Sequence, residues 1–310
     1  MSELVSGDIE TENNRGLPIP PLDQVLICLN HLGGGHFQRT SGWCYGVSQS
    51  TARLCIERVV DAIILHKDEF VFMPETDQMT ATSERMYNKF SLPRLAYAVD
   101  GMQVRFAQAP RGIPNNIPQQ LFWNRKQSYA INVQMLCDDR FILDIVLGWP
   151  GSVHDSRIWK LSEAKAVIET QRRFFVAGDS GYPISENLMK PYSTQEAGAD
   201  RRKRLFNQRL SGARTVMSEC IFGALKRRWP ILTGMRNHFV ISQKIILATA
   251  ILFNIGRLWG DLWDEDSDDE DADGVADDEG EADVVVQEND EASVRIRGQL
   301  ERDRLKDAMP

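Results

Sequence analysis

Apolar residues along the chain switch between two periods, and the switch outlines the elements. In the first third, Leu22, Val25, Leu26, Leu29 and Leu32 recur at helical spacing, and Gly33-Gly34-Gly35 ends that run. A turn-rich piece, FQRTSGWCYG, follows. A second helix then opens at Val47-Ser48-Gln49-Ser50, with Ser48 or Ser50 as its cap and Ala52, Leu54, Cys55, Val59, Ala62 and Ile63 as its apolar face. Residues 21–67 are therefore expected to form a small helical unit of the helix-turn-helix kind, after a flexible leader over 1–20. A connector spans 68–93. Beyond it the pattern becomes that of strands: a short apolar run over 95–99, clean alternation over 128–136 (Tyr129, Ile131, Val133, Met135), a third run over 141–147 and a very short fourth over 174–177. Pro150-Gly151 breaks the chain before a helix expected over 154–170. Two more helices are expected, about 213–228, closed by Pro230, and about 241–259. These elements make one α/β domain over 94–260. Residues 261–310 are poor in apolar side chains and rich in charge, so they are expected to be a disordered acidic tail.

Charge changes the picture through its distribution. The net charge is -8. Residues 261–310 hold 20 Asp and Glu against 5 Lys and Arg, which leaves 31 Lys and Arg against 24 Asp and Glu before them. A basic body thus carries an acidic tail, and a basic body suits a phosphate backbone. The five cysteines are scattered, with no CxxC spacing, so neither a zinc ribbon nor a dithiol redox site is expected. The longest apolar stretch, over 245–255, is too short for a membrane span, and no signal-peptide pattern opens the sequence. An intracellular protein is expected.

The candidate chemistry lies in the carboxylates. Three apolar runs are followed by an acid: AYAVDG, DIVLGWPGSVHDS and FFVAGDSGYP, giving Asp100, Asp155 and Asp179. The order strand, strand, strand, helix, strand makes strands one and three run the same way. Strand four, reached by a helical crossover, can lie parallel to strand one. The three acids would then meet at one edge of the sheet, where ligands of α/β folds bind. Asp155 could instead cap the helix that starts beside it. A fourth acid, Glu219, sits mid-helix in RTVMSECIFGALKRRW. Converging carboxylates need a cation, and hard oxygen ligands suit Mg²⁺ or Mn²⁺. A pair of such ions can clamp a phosphodiester for hydrolysis. DNA contacts are expected from Gln49, Ser50, Thr51 and Arg53 at the start of the second helix, from Arg201, Arg202, Lys203 and Arg204, with Arg209 and Arg214 downstream, and from Lys226. The 201–204 cluster also reads as a nuclear-import signal, so a nuclear location, with cytoplasm as the alternative, is expected.

The blocks AVDGMQV, FWNRKQSYAINVQMLCDDR, GWPGSVHDSRIW, FVAGDSGYP and SECIFGALKRRWPIL, in this order, resemble the Harbinger-type (PIF/Harbinger) transposases and the nucleases derived from them, within the DDE superfamily endonucleases. The resemblance spans about 95–255, with a weaker extension through 22–65. It implies a ribonuclease H-like mixed sheet flanked by helices and a divalent-metal nuclease site. Asp100, Asp179 and Glu219 would be its catalytic acids and Asp155 a further metal contact. It also implies DNA as substrate and a separate Myb-like DNA-binding partner protein; a homo-oligomer is a further expectation that the resemblance does not fix. One position departs from the pattern: Met102 stands where relatives carry Thr after Asp-Gly, which should alter packing and leave the ligand set intact. A catalytically silent DNA-binding or adaptor protein is the alternative reading.

Overall fold

A computed structural model describes residues 2–10, 18–170, 173–261 and 288–310. The chain begins with helices α1 (Ser2–Ile9), α2 (Pro21–Gly34), α3 (Gln38–Cys44), α4 (Gln49–Leu65), the single turn α5 (Lys67–Phe70) and α6 (Thr76–Phe90). Gly35, at φ 59°, ends α2 in the left-handed conformation that the glycine run predicts. The Ser48 side chain accepts from the Thr51 backbone N–H, so Ser48 is the cap of α4. The leader is not flexible throughout. Residues 2–9 are helical, and Val5 and Ile9 are fully buried in the main core. The helical unit also has no core of its own. Ile27, Leu32, Ile56 and Ile63 belong to the same apolar cluster as the sheet residues Val104, Ile131 and Val133.

Strands β1 (Leu95–Arg105), β2 (Ala130–Cys137) and β3 (Ile142–Pro150) form an antiparallel meander. Helices α7 (Asp155–Lys160) and α8 (Glu163–Thr170) then carry the chain to β4 (Phe175–Ala177) and the two-residue β5 (Leu188–Met189), both parallel in series with β1. The sheet order is β3-β2-β1-β4-β5. A central strand flanked by an antiparallel pair on one side and parallel strands on the other is the ribonuclease H-like arrangement expected from the sequence. The single helix expected over 154–170 is two helices. Ser162 turns back to the Trp159 carbonyl and caps α8 by accepting from the Lys165 N–H.

After the short α9 (Thr194–Ala197), α10 (Arg201–Arg214) runs through a π-helical turn, Thr215–Glu219, into α11 (Cys220–Arg228). This helical stretch starts about a dozen residues earlier than the apolar pattern predicts. Its first half buries only Phe206, Leu210 and Ala213. Pro230 ends α11, and α12 (Phe239–Leu258) follows. Among the described residues α12 alone is long and apolar enough to cross a membrane, and 67% of its most apolar window is buried inside the fold. The acidic tail is not disordered throughout. Residues 262–287 lie outside the described residues, but α13 (Glu288–Ala308) docks through Leu305 and Met309 against the α10 side of the sheet.

The sheet separates two packing layers. Tyr97, Val99 and Leu136 face Trp159, Ile168 and Tyr182. Met102, Val104, Ile131, Val133 and Met135 face the helices on the other side, including Ile221 and Leu225 of α11 and Ile251 of α12. Met102, only 2% exposed, is thus a core residue, in keeping with a packing role.

Candidate active site

The level of Asp100 is set by strand pairing. Ala98 pairs with Ala177 across the parallel β1–β4 ladder, so Asp100 and Asp179 each lie two residues beyond a matched pair. Neighbouring strands are about 5 Å apart, and β4 stops at Ala177, so Asp179 leaves the ladder beside Asp100. Asp100 does not end its strand, contrary to the pattern. β1 runs on to Arg105 with Asp100 at its middle. Asp179 begins a turn in which its Oδ1 accepts from the Gly181 N–H.

Successive strand residues point to opposite faces, and this divides the acids. Asp100 shares its face with Met102 and Val104, beneath α10 and α11. Gly101 points the other way, and there the Asp155 carboxylate lies against it: a Cβ on Gly101 would come within 2.6 Å of Asp155 Cγ. The glycine of the Asp-Gly pair is therefore what admits Asp155. Asp155 is the first residue of α7 and makes no cap bond. Its Oδ1 accepts from Asn132 Nδ2 at 2.6 Å, and the same amide donates to the Val153 carbonyl. Beside it the Tyr182 hydroxyl, fully buried, bonds Gln134 Oε1 at 3.3 Å.

On the Asp100 face the dominant contact is Arg214. One arm of its guanidinium donates to Asp100 Oδ2 at 2.9 Å and the other to Glu219 Oε1 at 2.7 Å. Ser218 Oγ donates to the Arg214 carbonyl, with Asp100 Oδ2 3.4 Å away, and Thr215 Oγ1 donates to Glu219 Oε2 at 3.0 Å. Burial pushes the Asp100 carboxyl up to about 7; Arg214 and the Gly101 N–H oppose the rise, while Asp179 and Asp155 add to it. Asp155 is also raised, first by burial, against the Asn132 bond and with Asp179 adding. The Tyr182 hydroxyl is held well above its usual range by burial and by Asp155, Asp100 and Asp179, so it stays a neutral donor.

The four acids thus form one electrostatic neighbourhood in two parts. Asp100 and the Arg214-linked Glu219 occupy one side of β1, Asp155 reaches in from the other, and Asp179 acts on both Asp100 and Asp155. Their donors are all carboxylate oxygens, the set a hard divalent cation prefers. Arg214 acts on Asp100 and Glu219, and Arg125 and His154 act on Asp155, so positive charge opposes the acids on both sides of the strand. In this conformation, however, no three acidic, His or Cys side chains among the described residues are gathered closely enough to enclose an ion. Arg214 stands between Asp100 and Glu219, and Asp155 is across the strand.

The sequence-predicted DNA contacts fall in three places. Gln49 and Ser50 are exposed on the first turn of α4. Thr51 bonds Ser48, and Arg53 pairs with Glu57 at 2.8 Å. In the 201–204 cluster, Arg204 is bound to the Ala197 and Gly198 carbonyls, Arg202 faces Asp307 of α13 at 3.7 Å, and Lys203 lies over the Tyr192 ring. Arg201 is exposed. Lys226 is half-buried on α11. Its pKa is lowered by burial and by the neighbouring cations Arg105 and Lys126.

Sequence reasoning missed the groups that hold the acids: Asn132, Gln134, Tyr182 and the true position of Arg214, which the pattern puts on a DNA backbone track. The signal was present for the first two. In the wholly buried β2, the alternation that sets Ile131, Val133 and Met135 on one face sets the amides Asn132 and Gln134 on the other. A buried strand face with two amides marks a polar site.

The chain matches the DDE superfamily endonuclease family over residues 99–254, a span that contains all four acids. The Bos taurus protein named "Putative nuclease HARBI1" is 27% identical over 270 residues, covering 84% of this chain and 74% of that protein. The Homo sapiens protein of the same name gives the same identity and coverage. The Arabidopsis thaliana "Protein ALP1-like" is 26% identical over 266 residues, 78% of this chain and 62% of its own length. Among solved structures, the "Mos1 transposase paired-end complex with left transposon end" covers 82% of both chains at 15% identity, with a TM-score of 0.22, too low to bear on the site. With half its length inside the family match, the chain belongs to the DDE superfamily endonucleases and is homologous to Harbinger transposase-derived proteins.

Proposed function

We propose that the protein is a divalent-metal-dependent DNA endonuclease. The observation that carries this reading is the electrostatic proximity of Asp179 and Asp155 to the buried Asp100, with Glu219 one guanidinium away. Asp100, Asp179 and Glu219 would hold Mg²⁺ or Mn²⁺, with Asp155 as a further contact. When bound, such an ion supplies Lewis-acid activation of water and neutralises the charge on the leaving oxygen. The protein's own groups orient the acids. Asn132 fixes the Asp155 carboxylate, the Gly101 N–H donates to Asp100 Oδ1, and the buried Tyr182 hydroxyl donates to Gln134 Oε1. The basic trio Arg105, Lys126 and Lys226, with the exposed Trp123 ring nearby in sequence, suits a nucleic-acid backbone. A Myb-like partner, a homo-oligomer and contacts through Gln49, Ser50, Thr51, Arg53 and Arg201 belong to the same proposal.

The test is nicking of supercoiled plasmid by purified full-length protein with Mg²⁺ or Mn²⁺. The wild type nicks, and Asp100→Ala and Asp179→Ala do not while keeping their folded circular dichroism. Equal cutting by the variants sinks the assignment. The grip of Arg214 on two of the acids favours a second reading, a DNA-binding adaptor without catalysis. That reading predicts DNA binding with no nicking and no Mn²⁺-dependent thermal shift in the wild type.

A further inference from the structure

Arg214 and Glu219 are five residues apart. An α-helix turns about 100° per residue, so it would set them about 140° apart around the axis. The helix does not continue as α here. Residues Thr215–Glu219 form a π turn, in which the Cys220 N–H reaches back to the Thr215 carbonyl. An i→i+5 turn returns the fifth residue to nearly the same side. This one local change lets a single guanidinium pair with Glu219 while its other arm crosses to Asp100 on the central strand. A guanidinium keeps its charge at every pH the fold survives, and its planar fork suits two acceptors at once. The two partners are held differently. Asp100 is 13% exposed at its side chain, whereas Glu219 is 44% exposed and held by Arg214 and Thr215 alone among the contacts described.

We propose that Arg214 is the resident cation of the acid cluster: it holds Asp100 and Glu219 in the ion-free protein and is displaced when a divalent cation binds, so that ion binding and release of the arginine are one exchange. The proposal rests on the nuclease reading above and deepens it by assigning a built-in competitor to the site. It accounts for an arrangement in which the right donors are present but not gathered around one point. The arginine supplies part of the positive charge that an ion would otherwise supply, and the π turn sets Glu219 within its reach.

The experiment measures Mn²⁺ binding by calorimetry and thermal unfolding, in EDTA and in saturating Mn²⁺, for full-length wild type, Arg214→Gln and Arg214→Lys. With competition removed, Arg214→Gln should bind Mn²⁺ about tenfold more tightly, the ratio expected for loss of one partly buried charge pair. It should also unfold at lower temperature than wild type in EDTA, and the gap should close in Mn²⁺. Arg214→Lys keeps the charge without the fork and should lie between the two. A merely structural arginine would give the same stability loss with and without the ion. That result, or unchanged or weaker Mn²⁺ binding in Arg214→Gln, overturns the proposal while leaving the nuclease reading intact. Absence of Mn²⁺ binding in all three proteins overturns both. Should Arg214→Gln fail to fold in EDTA, its rescue by Mn²⁺ supports the exchange and failure of rescue contradicts it.

Discussion

At the scale of single residues, the site is a problem in charge burial. Asp100 is enclosed, and its carboxyl is raised to about 7 by that enclosure and by two neighbouring acids. A carboxyl raised on folding binds a proton more tightly in the native state. Its stabilising effect is therefore complete below pH 4 and is lost as pH climbs to about 7. In EDTA, wild-type stability should fall between pH 4 and pH 8, by on the order of 4 kcal/mol from this group. Asp100→Asn should flatten the fall, and urea denaturation at several pH values checks it. Gly101 is the other decisive residue. Gly101→Ala leaves β1 in register but drives a methyl group into the Asp155 carboxylate. Mn²⁺ binding should weaken at least tenfold while stability drops by only about 1–2 kcal/mol. Equal Mn²⁺ affinity would show that Asp155 takes no part. Asp100 and Asp179 were legible in the sequence because each follows an apolar run. Arg214 was not: its partner on β1 is 114 residues away, and no local pattern records a long-range ion pair.

At the scale of elements, strands β1 to β4 and their order followed from apolar runs, alternation and the crossover, whereas the two-residue β5 was too short to leave a pattern. The helices that were missed are those whose buried stripe is thin. α10 buries three residues in a sequence otherwise full of Arg, Asn and Gln. α13 offers Leu305 to the core, with Met309 just past its end, and completes its docking with polar contacts that composition cannot show. Arg302 lies 3.7 Å over the Tyr192 ring and pairs with Glu196, the Tyr192 hydroxyl donates to Asp303 at 2.6 Å, and Arg94 pairs with Glu301. Arg302 is only 4% exposed, so these contacts are structural. Leu305→Ala should cost about 2–4 kcal/mol in urea denaturation, the loss expected for a truncated buried leucine. A loss near zero would mean that α13 does not dock. The same helix places Asp307 3.7 Å from Arg202, with both side chains more than half exposed.

At the scale of the whole molecule, the acids and the uncompensated cations sit on the same strand and helix, a few residues apart. Asp100 and Arg105 share β1, and Glu219 is followed along the helix by Lys226. This spacing sets a negative site beside a positive flank, the distribution a phosphodiester substrate requires. Lys226→Gln with Arg105→Gln should weaken DNA binding across sequences and reduce the slope of log affinity against log salt by about two, one for each lost phosphate contact. Fluorescence anisotropy at several salt concentrations reads that slope, and an unchanged slope would remove the trio from the interface. The most direct test of the central claim is a crystal structure of the full chain grown with Mn²⁺ and recorded at the manganese absorption edge. The account predicts an anomalous peak within coordination distance of Asp100 and Asp179, with Glu219 turned away from Arg214. No peak at these acids, with Arg214 still bridging Asp100 and Glu219, would contradict it.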